Sequence, residues 1–404
     1  MQSITQVPYH RPSIGDEEID EVVRTLKSGW LTTGPRTAQF EQEFSAYANV
    51  PHALAVNSCT SGLHLALAAL KIGPGMEVIT TPLTFCATVN TIIHTGATPV
   101  LADVGPDGNI DPASIASRIT DRTRAIVPVH FAGLPCDMDA IWPLARRHGL
   151  DVVEDCAHAA GALYKGRHAG AENPLTGERS AASVFSFYAV KNVTTGEGGM
   201  VLTHDEELAS SMKILSLHGI SKNAWNRYAD RGHWGYQVLT SGYKYNMSDI
   251  QASIGIHQLR KLEGFIEART RLVKLYNSLL GNVEEVELPP DRADSRHAWH
   301  LYSLRLNLQS LAIGRDEFIE ELTDRGVGTS VHFIPIPLHP FFASFANLRH
   351  NRCPDALELY PRLISLPLYP GMTEDQVDYV AKAIQGIVRK SRKRSWAAMA
   401  AAGD

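Results

Sequence analysis

Residues 183–200 read Ser-Val-Phe-Ser-Phe-Tyr-Ala-Val-Lys-Asn-Val-Thr-Thr-Gly-Glu-Gly-Gly-Met, with the lysine at position 191. An apolar run, Val184–Phe187, stops. Lys191 follows, and a turn holding Gly196, Gly198 and Gly199 leads into a second apolar run, Met200–Thr203. The pattern predicts two strands with the lysine on the connection between them. The glycines let the backbone turn sharply and pass close to a ligand. By itself, a lysine beside such a turn reads first as a surface residue, so its meaning depends on what the rest of the sheet brings to it.

Working outward, further short β-branched runs lie at Ala53–Val56, Glu77–Thr80, Pro99–Val104, Ala125–Phe131 and Val152–Glu154. Helical stretches separate most of them: Gly62–Leu70, Asp111–Ile119 with Asp111 as cap and Pro112 at the first helical position, and Met138–His148. This alternation predicts an α/β fold, a mainly parallel sheet between helices, whose strands are apolar on both faces. Upstream, Ile19, Val22, Val23 and Leu26 recur at helical spacing between Asp16, a candidate cap, and Gly29. A second helical pattern follows the loop Trp30–Pro35 and runs to His52. From Ile250 to Leu280 one long helix bridges to a smaller α+β region. There His300–Leu306 and Val327–Phe333 read as strands, Arg315–Arg325 as a helix closed by Gly326, and Thr373 with Gln376 as the capping box of a helix to about Val388. The domains expected are 1–250, a large cofactor-binding domain, and 251–390, the bridging helix with a small C-terminal domain. A disordered basic and Ala-rich tail, 391–404, follows.

Two more segments end predicted strands, where open α/β sheets place their ligands. In Val56-Asn-Ser-Cys-Thr-Ser-Gly-Leu, the start of a helix offers backbone N–H groups with the hydroxyls of Thr60 and Ser61, a phosphate cradle. Plain helix capping would look the same. In Val152-Val-Glu-Asp-Cys-Ala-His, Asp155 ends an apolar strand, where a carboxylate can pair with the pyridinium nitrogen of pyridoxal phosphate and keep it protonated. Asp155 and His158 are also two potential metal ligands, but no third or fourth stands at metal-site spacing, so no metal is expected. Cradle, Asp155 and Lys191 arrive in this order along one sheet. A lysine forming a Schiff base with a cofactor carbonyl must be partly deprotonated, which burial promotes.

Composition narrows the classes. With 44% hydrophobic and 20% charged residues the chain is neither disordered nor collagen-like. At ~100–200 residues per domain, its length predicts two or three domains. A net charge of −5 and a pI near 6.4 give no support for nucleic-acid binding. The five cysteines, Cys59, Cys86, Cys136, Cys156 and Cys353, are odd in number and form no C-x-x-C pair. That speaks against a disulfide framework or structural zinc and fits a reducing cytoplasm. No signal-peptide pattern opens the chain, and no run of ~18 apolar residues could span a membrane.

The segments around Lys191, Asp155 and Thr60 resemble the DegT/DnrJ/EryC1/StrS sugar aminotransferase family. So do Arg11-Pro, Ser28-Gly-Trp-Leu-Thr-Thr-Gly-Pro, Ser241-Gly-Tyr-Lys-Tyr-Asn-Met-Ser-Asp-Ile-Gln-Ala, Trp299-His-Leu-Tyr and Ser365-Leu-Pro-Leu-Tyr-Pro-Gly-Met-Thr. The resemblance covers roughly residues 8 to 388 and implies the type I fold of pyridoxal-phosphate enzymes, working as a homodimer with shared active sites. It implies that Lys191 carries the cofactor and shuttles the proton, that Asp155 pairs with the ring nitrogen and that His158 lies near the ring oxygen. Phe85 would stack on the ring. Cys59, Thr60 and Ser186 would contact phosphate and substrate, and Asn246 would reach the phosphate held by the other subunit. Cys59 departs from the small residue usual there, which leaves its backbone contact intact. Trp30 and Leu31 would line the sugar pocket, with His332–Pro335 as a second pocket segment.

Within the family the pattern is closest to members that aminate C4 of a nucleotide-linked 4-keto sugar in polysaccharide or antibiotic biosynthesis, with L-glutamate as donor. Relatives acting on 3-keto sugars or inososes share every motif quoted. Family dehydratases have His in place of the lysine, so Lys191 points to amino transfer. A non-enzymatic regulator is disfavoured by the intact Lys191 and Asp155. A dinucleotide-dependent dehydrogenase is disfavoured because the first strand–helix turn, Asn-Ser-Cys-Thr-Ser-Gly, holds one glycine instead of G-x-G-x-x-G.

Overall fold

The computed structural model describes residues 4–221, 236–345, 348 and 353–393. Seven strands form the main sheet: β1 (His52–Val56), β2 (Glu77–Thr80), β3 (Thr98–Leu101), β4 (Thr123–Val127), β5 (Asp151–Asp155), β6 (Ala182–Ser186) and β7 (Gly199–Thr203). Their spatial order is β1-β7-β6-β5-β4-β2-β3. The run from β3 to β6 is parallel, and β7 lies antiparallel to both neighbours. The sheet is therefore mixed but mainly parallel.

Eight helices accompany it: α1 (Asp16–Ser28), α2 (Pro35–Ala48), α3 (Cys59–Ala69), α4 (Cys86–His94), α5 (Pro112–Arg118), α6 (Met138–His148), α7 (Glu206–Leu215) and α8 (Asp249–Leu280). Successive strand residues point to opposite faces and so to different helices. Val153, Val184 and Val201 join the core beneath α3 and α7, whereas Phe185, Met200 and Leu202 pack with Phe40, Phe44 and Ile256 of α2 and α8. Gly62 sets the closeness of α3 to the sheet, because a Cβ there would lie 2.6 Å from Val184 Cγ1.

The far half of α8 enters a second core with a small antiparallel sheet, β8 (Val286–Glu287), β9 (Tyr302–Leu306) and β10 (Leu363–Leu366). Helices α9 (Arg315–Asp324) and α10 (Glu374–Ser391) cover it, the latter opened by the Thr373–Gln376 capping box. Fully buried Arg269 of α8 donates from Nη1 to the carbonyls of Leu368 (2.7 Å) and Trp299 (3.1 Å), tying the helix to this region.

Several expectations are corrected. Gly15, not Asp16, caps α1, and its N–H donates to Glu18 at 2.8 Å. The apolar stripe of α1 faces outward: Ile19, Val23 and Leu26 are 53%, 40% and 50% exposed, while Glu18, Glu21 and Thr25 are buried. Lys261 of α8 meets Glu18 at 2.7 Å, and Gln258 donates to it at 2.9 Å, so polar partners on α8 attract the polar side of α1. Helix α2 ends at Ala48 in a left-handed Asn49, and β1 already includes His52. α3 starts at Cys59, and β9 begins only at Tyr302. β3, β4 and β6 stop at Leu101, Val127 and Ser186, because the apolar residues beyond them leave the ladder for loops.

Val327–Phe333 is not a strand. Val327 pairs with Val7 and Ser330 with Ser365 as isolated bridges. Gly328 lies so near Tyr9 that a Cβ would stand 2.6 Å from its nitrogen, and the chain beyond heads into the pocket. At the C-terminus Arg389 and Lys390 belong to α10, Lys390 pairs with Glu321 at 2.6 Å, and Arg392 Nη2 lies 3.0 Å from Glu285. The expected tail from residue 394 onward lies outside the described residues. None of the five cysteines forms a disulfide, and no described helix is long and apolar enough to cross a membrane.

Candidate active site

The carboxyl ends of β1, β5 and β6 open into one cavity of about 470 Å³, within the range of small-molecule sites. At its rim Ser58 caps α3, accepting from Ser61 N at 3.0 Å. Cys59 and Thr60 line the cavity, and their N–H groups, at the first positions of the helix, have no carbonyl to reach within it and can serve as an anion cradle. The Cys59 side chain turns inward, with Sγ 3.7 Å from Val184 O and 4.0 Å from Asp155 Oδ1, and burial pushes its thiol well up. Cys59 therefore offers the cavity its backbone. Gly199 makes the neighbouring turn fit: a Cβ there would lie 2.8 Å from both Cys59 N and Phe185 O.

Asp155, at the end of β5, is fully buried. Thr88 donates to its Oδ2 at 2.8 Å and Ala157 N to its Oδ1 at 3.1 Å. Burial still raises its pKa above the usual carboxylate range, because these bonds offset only part of the lost hydration. A cationic partner would restore the charged form.

Lys191 is brought to the same cavity by the turn after β6, and burial lowers its pKa to about 8. Its Nζ lies 3.5 Å from His300 Nε2. His158 is packed between His300, at a ring distance of 4.4 Å, and Phe333, stacked at 5.7 Å. Burial and the nearby Lys191 hold its imidazole neutral, and Nδ1 is buried with no hydrogen-bond partner. His332 accompanies Phe333 into the cavity, bonded through Nδ1 to Ser365 Oγ at 2.8 Å.

Eight of the residues singled out in the sequence thus converge on one cavity: Cys59, Thr60, Phe85, Asp155, His158, Ser186, Lys191 and His332. Phe85 stands at the mouth, 59% exposed, with its ring 6.1 Å from Phe333. Trp30, Leu31 and Asn246 do not line this cavity. Trp30 and Asn246 meet at Thr33: Asn246 Nδ2 donates to Thr33 Oγ1 at 2.7 Å, Thr33 in turn bonds Met247 O, and Trp30 Nε1 donates to Thr33 O at 3.1 Å, while Leu31 is exposed. Sequence reasoning missed Thr88, His300 and Asn192. Thr88 sits one helical turn beyond Thr84, a spacing that could have flagged it, and His300 stands inside the quoted Trp299-His-Leu-Tyr segment.

An anion cradle, a buried carboxylate, a partly deprotonated lysine and an orphaned imidazole nitrogen between them suit a phosphorylated pyridine aldehyde. On this sheet they define a pyridoxal-phosphate-dependent aminotransferase of fold type I. Residues 12–385 match the DegT/DnrJ/EryC1/StrS aminotransferase family, and the chain belongs to that family of sugar aminotransferases. The spore coat polysaccharide biosynthesis protein SpsC of Bacillus subtilis (strain 168) is 50% identical over 385 residues, covering 95% of this chain and 97% of that protein. Spr1654 of Streptococcus pneumoniae in its PMP form superposes with a TM-score of 0.89 at 33% identity, covering 95% of this chain and all of that one; its PLP form is also solved. PseC of Helicobacter pylori, an aminotransferase in pseudaminic acid biosynthesis, superposes with a TM-score of 0.87 at 29% identity, covering 95% and 100% of the two chains.

Proposed function

We propose that this protein transfers an amino group from L-glutamate to the keto group of a nucleotide-linked 4-keto sugar, with Lys191 as its catalytic residue. The observation that carries this reading is the buried amine of Lys191 in one cavity with buried Asp155 and the open end of α3. Pyridoxal phosphate, when bound, supplies the electron sink that weakens bonds at the donor's α-carbon. Lys191 Nζ takes the proton from the α-carbon of the donor and returns one to the sugar carbon in the second half, so a pKa near working pH suits both directions. Asp155 would hold the ring nitrogen protonated, and the N–H groups of Cys59 and Thr60, with the Thr60 and Ser186 hydroxyls, would hold the phosphate. His158 would serve the ring oxygen, Phe85 would stack on the ring, and His332 would meet the acceptor.

The working unit is a homodimer in which Asn246 of the partner subunit would reach the phosphate of each site, with Trp30 and Leu31 in the loop that would line the sugar pocket. Two observations support this: none of these residues lines its own chain's cavity, and the apolar stripe of α1 is exposed. Residues 1–250 act as the cofactor-binding domain and 251–390 as the bridging helix with the small C-terminal domain. The five cysteines, none in a disulfide, fit work in a reducing cytoplasm. The resemblance to C4-aminating members supports the acceptor, and the relation to a spore coat polysaccharide protein supports a role in polysaccharide sugars.

The test is an amino-transfer assay with glutamate against UDP-, dTDP- and GDP-linked 4-keto sugars, 3-keto sugars and inososes. Turnover confined to 4-keto sugars is expected. Turnover confined to 3-keto sugars or inososes would overturn the C4 assignment, and none on any carbonyl sugar would overturn the acceptor class.

A further inference from the structure

Lys191 has a neighbour whose protonation pattern can be traced to the main chain. Asn192 is buried, and its amide nitrogen lies 2.8 Å from Ala298 O and 3.3 Å from Ala160 O. Carbonyl oxygens only accept, so the Nδ2 donors belong there and Oδ1 must face His300. Asn192 Oδ1 lies 3.3 Å from His300 Nδ1, which requires the proton on Nδ1. Burial, then the charge of Lys191, holds this imidazole far below its ordinary range, so it stays neutral. Its remaining lone pair is on Nε2, 3.5 Å from Lys191 Nζ. Arg269 fixes the backbone of the same segment through Trp299 O.

We propose that Asn192 and His300 are positioning residues: two main-chain carbonyls set the His300 tautomer, and His300 Nε2 accepts a hydrogen bond from the free amine of Lys191. The inference rests on Lys191 as the proton-moving group. A contact of 3.5 Å is long, and catalytic hydrogen bonds commonly tighten once ligands are in place. Asp155, Cys59, His158, His300 and His332 line the cavity with Lys191. Among these, His300 is held as an obligate acceptor. An acceptor at Nζ favours the ammonium form and offsets part of the desolvation that pulls the lysine down. It also keeps the amine aimed at the cavity when it is not bound to cofactor.

The first readout uses cofactor-free protein carrying isotope-labelled histidine, where NMR shows which ring nitrogen of His300 bears the proton. Neutral His300 with the proton on Nδ1 is expected, and a proton on Nε2 overturns the proposal without any variant. The second is the pH dependence of reductive methylation of Lys191. His300→Leu and Asn192→Leu should move its midpoint down by about half a unit to one unit. His300→Gln, whose amide can accept from Lys191 and donate to Asn192, should restore it. Turnover should fall about 10- to 100-fold in both Leu variants with KM within about twofold, and recover in His300→Gln. An unchanged midpoint in His300→Leu overturns the relay. If Lys191 were not the cofactor lysine, Lys191→Ala would keep turnover whatever the tautomer proved to be, so the two failures are distinct.

Discussion

Glu154 and Asp155, adjacent on β5 and both buried, anchor opposite faces of the sheet. Glu154 Oε2 accepts from His130 Nε2 at 2.8 Å on one face, while Asp155 Oδ2 accepts from Thr88 at 2.8 Å on the other. His130 takes Cys136 N on Nδ1 at 3.0 Å, so its other nitrogen carries the proton that Glu154 receives. Burial opposes ionisation of Glu154, yet the bonds from His130 and Ser183 hold its carboxyl below the usual range. Asp155, bonded to Thr88 and a backbone N–H with no imidazole against it, stays above it. One strand therefore presents a carboxylate held below its usual range to the core and one held above it to the cavity.

The two should respond differently to truncation. Asp155→Ala should leave the fold intact and weaken pyridoxal phosphate binding about 10- to 100-fold, the worth of a charge-assisted hydrogen bond. Titrating cofactor-free protein by visible absorbance measures this. Glu154→Ala should instead lower stability by about 1–3 kcal/mol, because His130 is left buried without its acceptor. Equal cofactor affinity in wild type and Asp155→Ala would remove Asp155 from the site.

Lys191 carries a stability cost. Its pKa falls from 10.5 unfolded to about 8 folded, so between these values the unfolded chain binds more protons and stability rises with pH. At neutral pH the penalty approaches about 3 kcal/mol. Lys191→Met should abolish amino transfer yet stabilise the cofactor-free protein at pH 7, with the advantage shrinking toward pH 10. Denaturant unfolding of both proteins at the two pH values checks this, and a constant difference would contradict it.

Gly199 and Gly264 make a matched pair. Alanine at 199 would drive its Cβ to 2.8 Å from Cys59 N and Phe185 O, backbone that cannot yield. Gly199→Ala should cost roughly 1–3 kcal/mol and weaken phosphate binding at α3. Gly264 lies exposed within α8 with nothing near its missing Cβ, so Gly264→Ala should stabilise by up to about 1 kcal/mol. Thermal melts with and without pyridoxal phosphate separate the two.

The exposed stripe of α1 offers a test of assembly. Ile19→Asp with Leu26→Asp replaces two outward side chains without touching buried Glu18, Glu21 or Thr25. Sedimentation should show the dimer weakened toward monomer, with turnover per chain falling in step because each cavity lacks the partner's Asn246. A fully active dimeric double variant would exclude α1 from the interface.

The sequence was most legible where local pattern and burial agree. Glu77–Thr80 and Met138–His148 have the limits expected, since turn residues bound both. It misled where apolar residues served something other than a ladder. Phe131 and Phe187 lie beyond strand ends and pack in loops, and Val327–Phe333 is β-branched yet committed to single bridges and the pocket wall. In α1 periodicity located a stripe, but the side facing α8 was decided by ion pairs of Glu18 with Lys261, which no helical period encodes. Asp155 and Thr60 could be found because one ends a strand and the other starts a helix, and Lys191 because it stands on the glycine-rich connection between two strands. Spacing and motif could mark Thr88 and His300 but not their partners, because their meeting with Asp155 and Lys191 depends on how α4 and the α8–β9 connection fold back over the sheet.

The register of β1 against β7 sets a timetable for making the cavity. Val56 and Gly199 pair directly, although roughly 140 residues of chain separate them. The cradle at Ser58 is synthesised early, yet its wall is missing until β7 slots between β1 and β6. On a ribosome, the first third of the protein must wait with β1 unpaired while β2 to β6 assemble. The catalytic pocket is then a late product of folding, closed by the same strand insertion that completes the sheet.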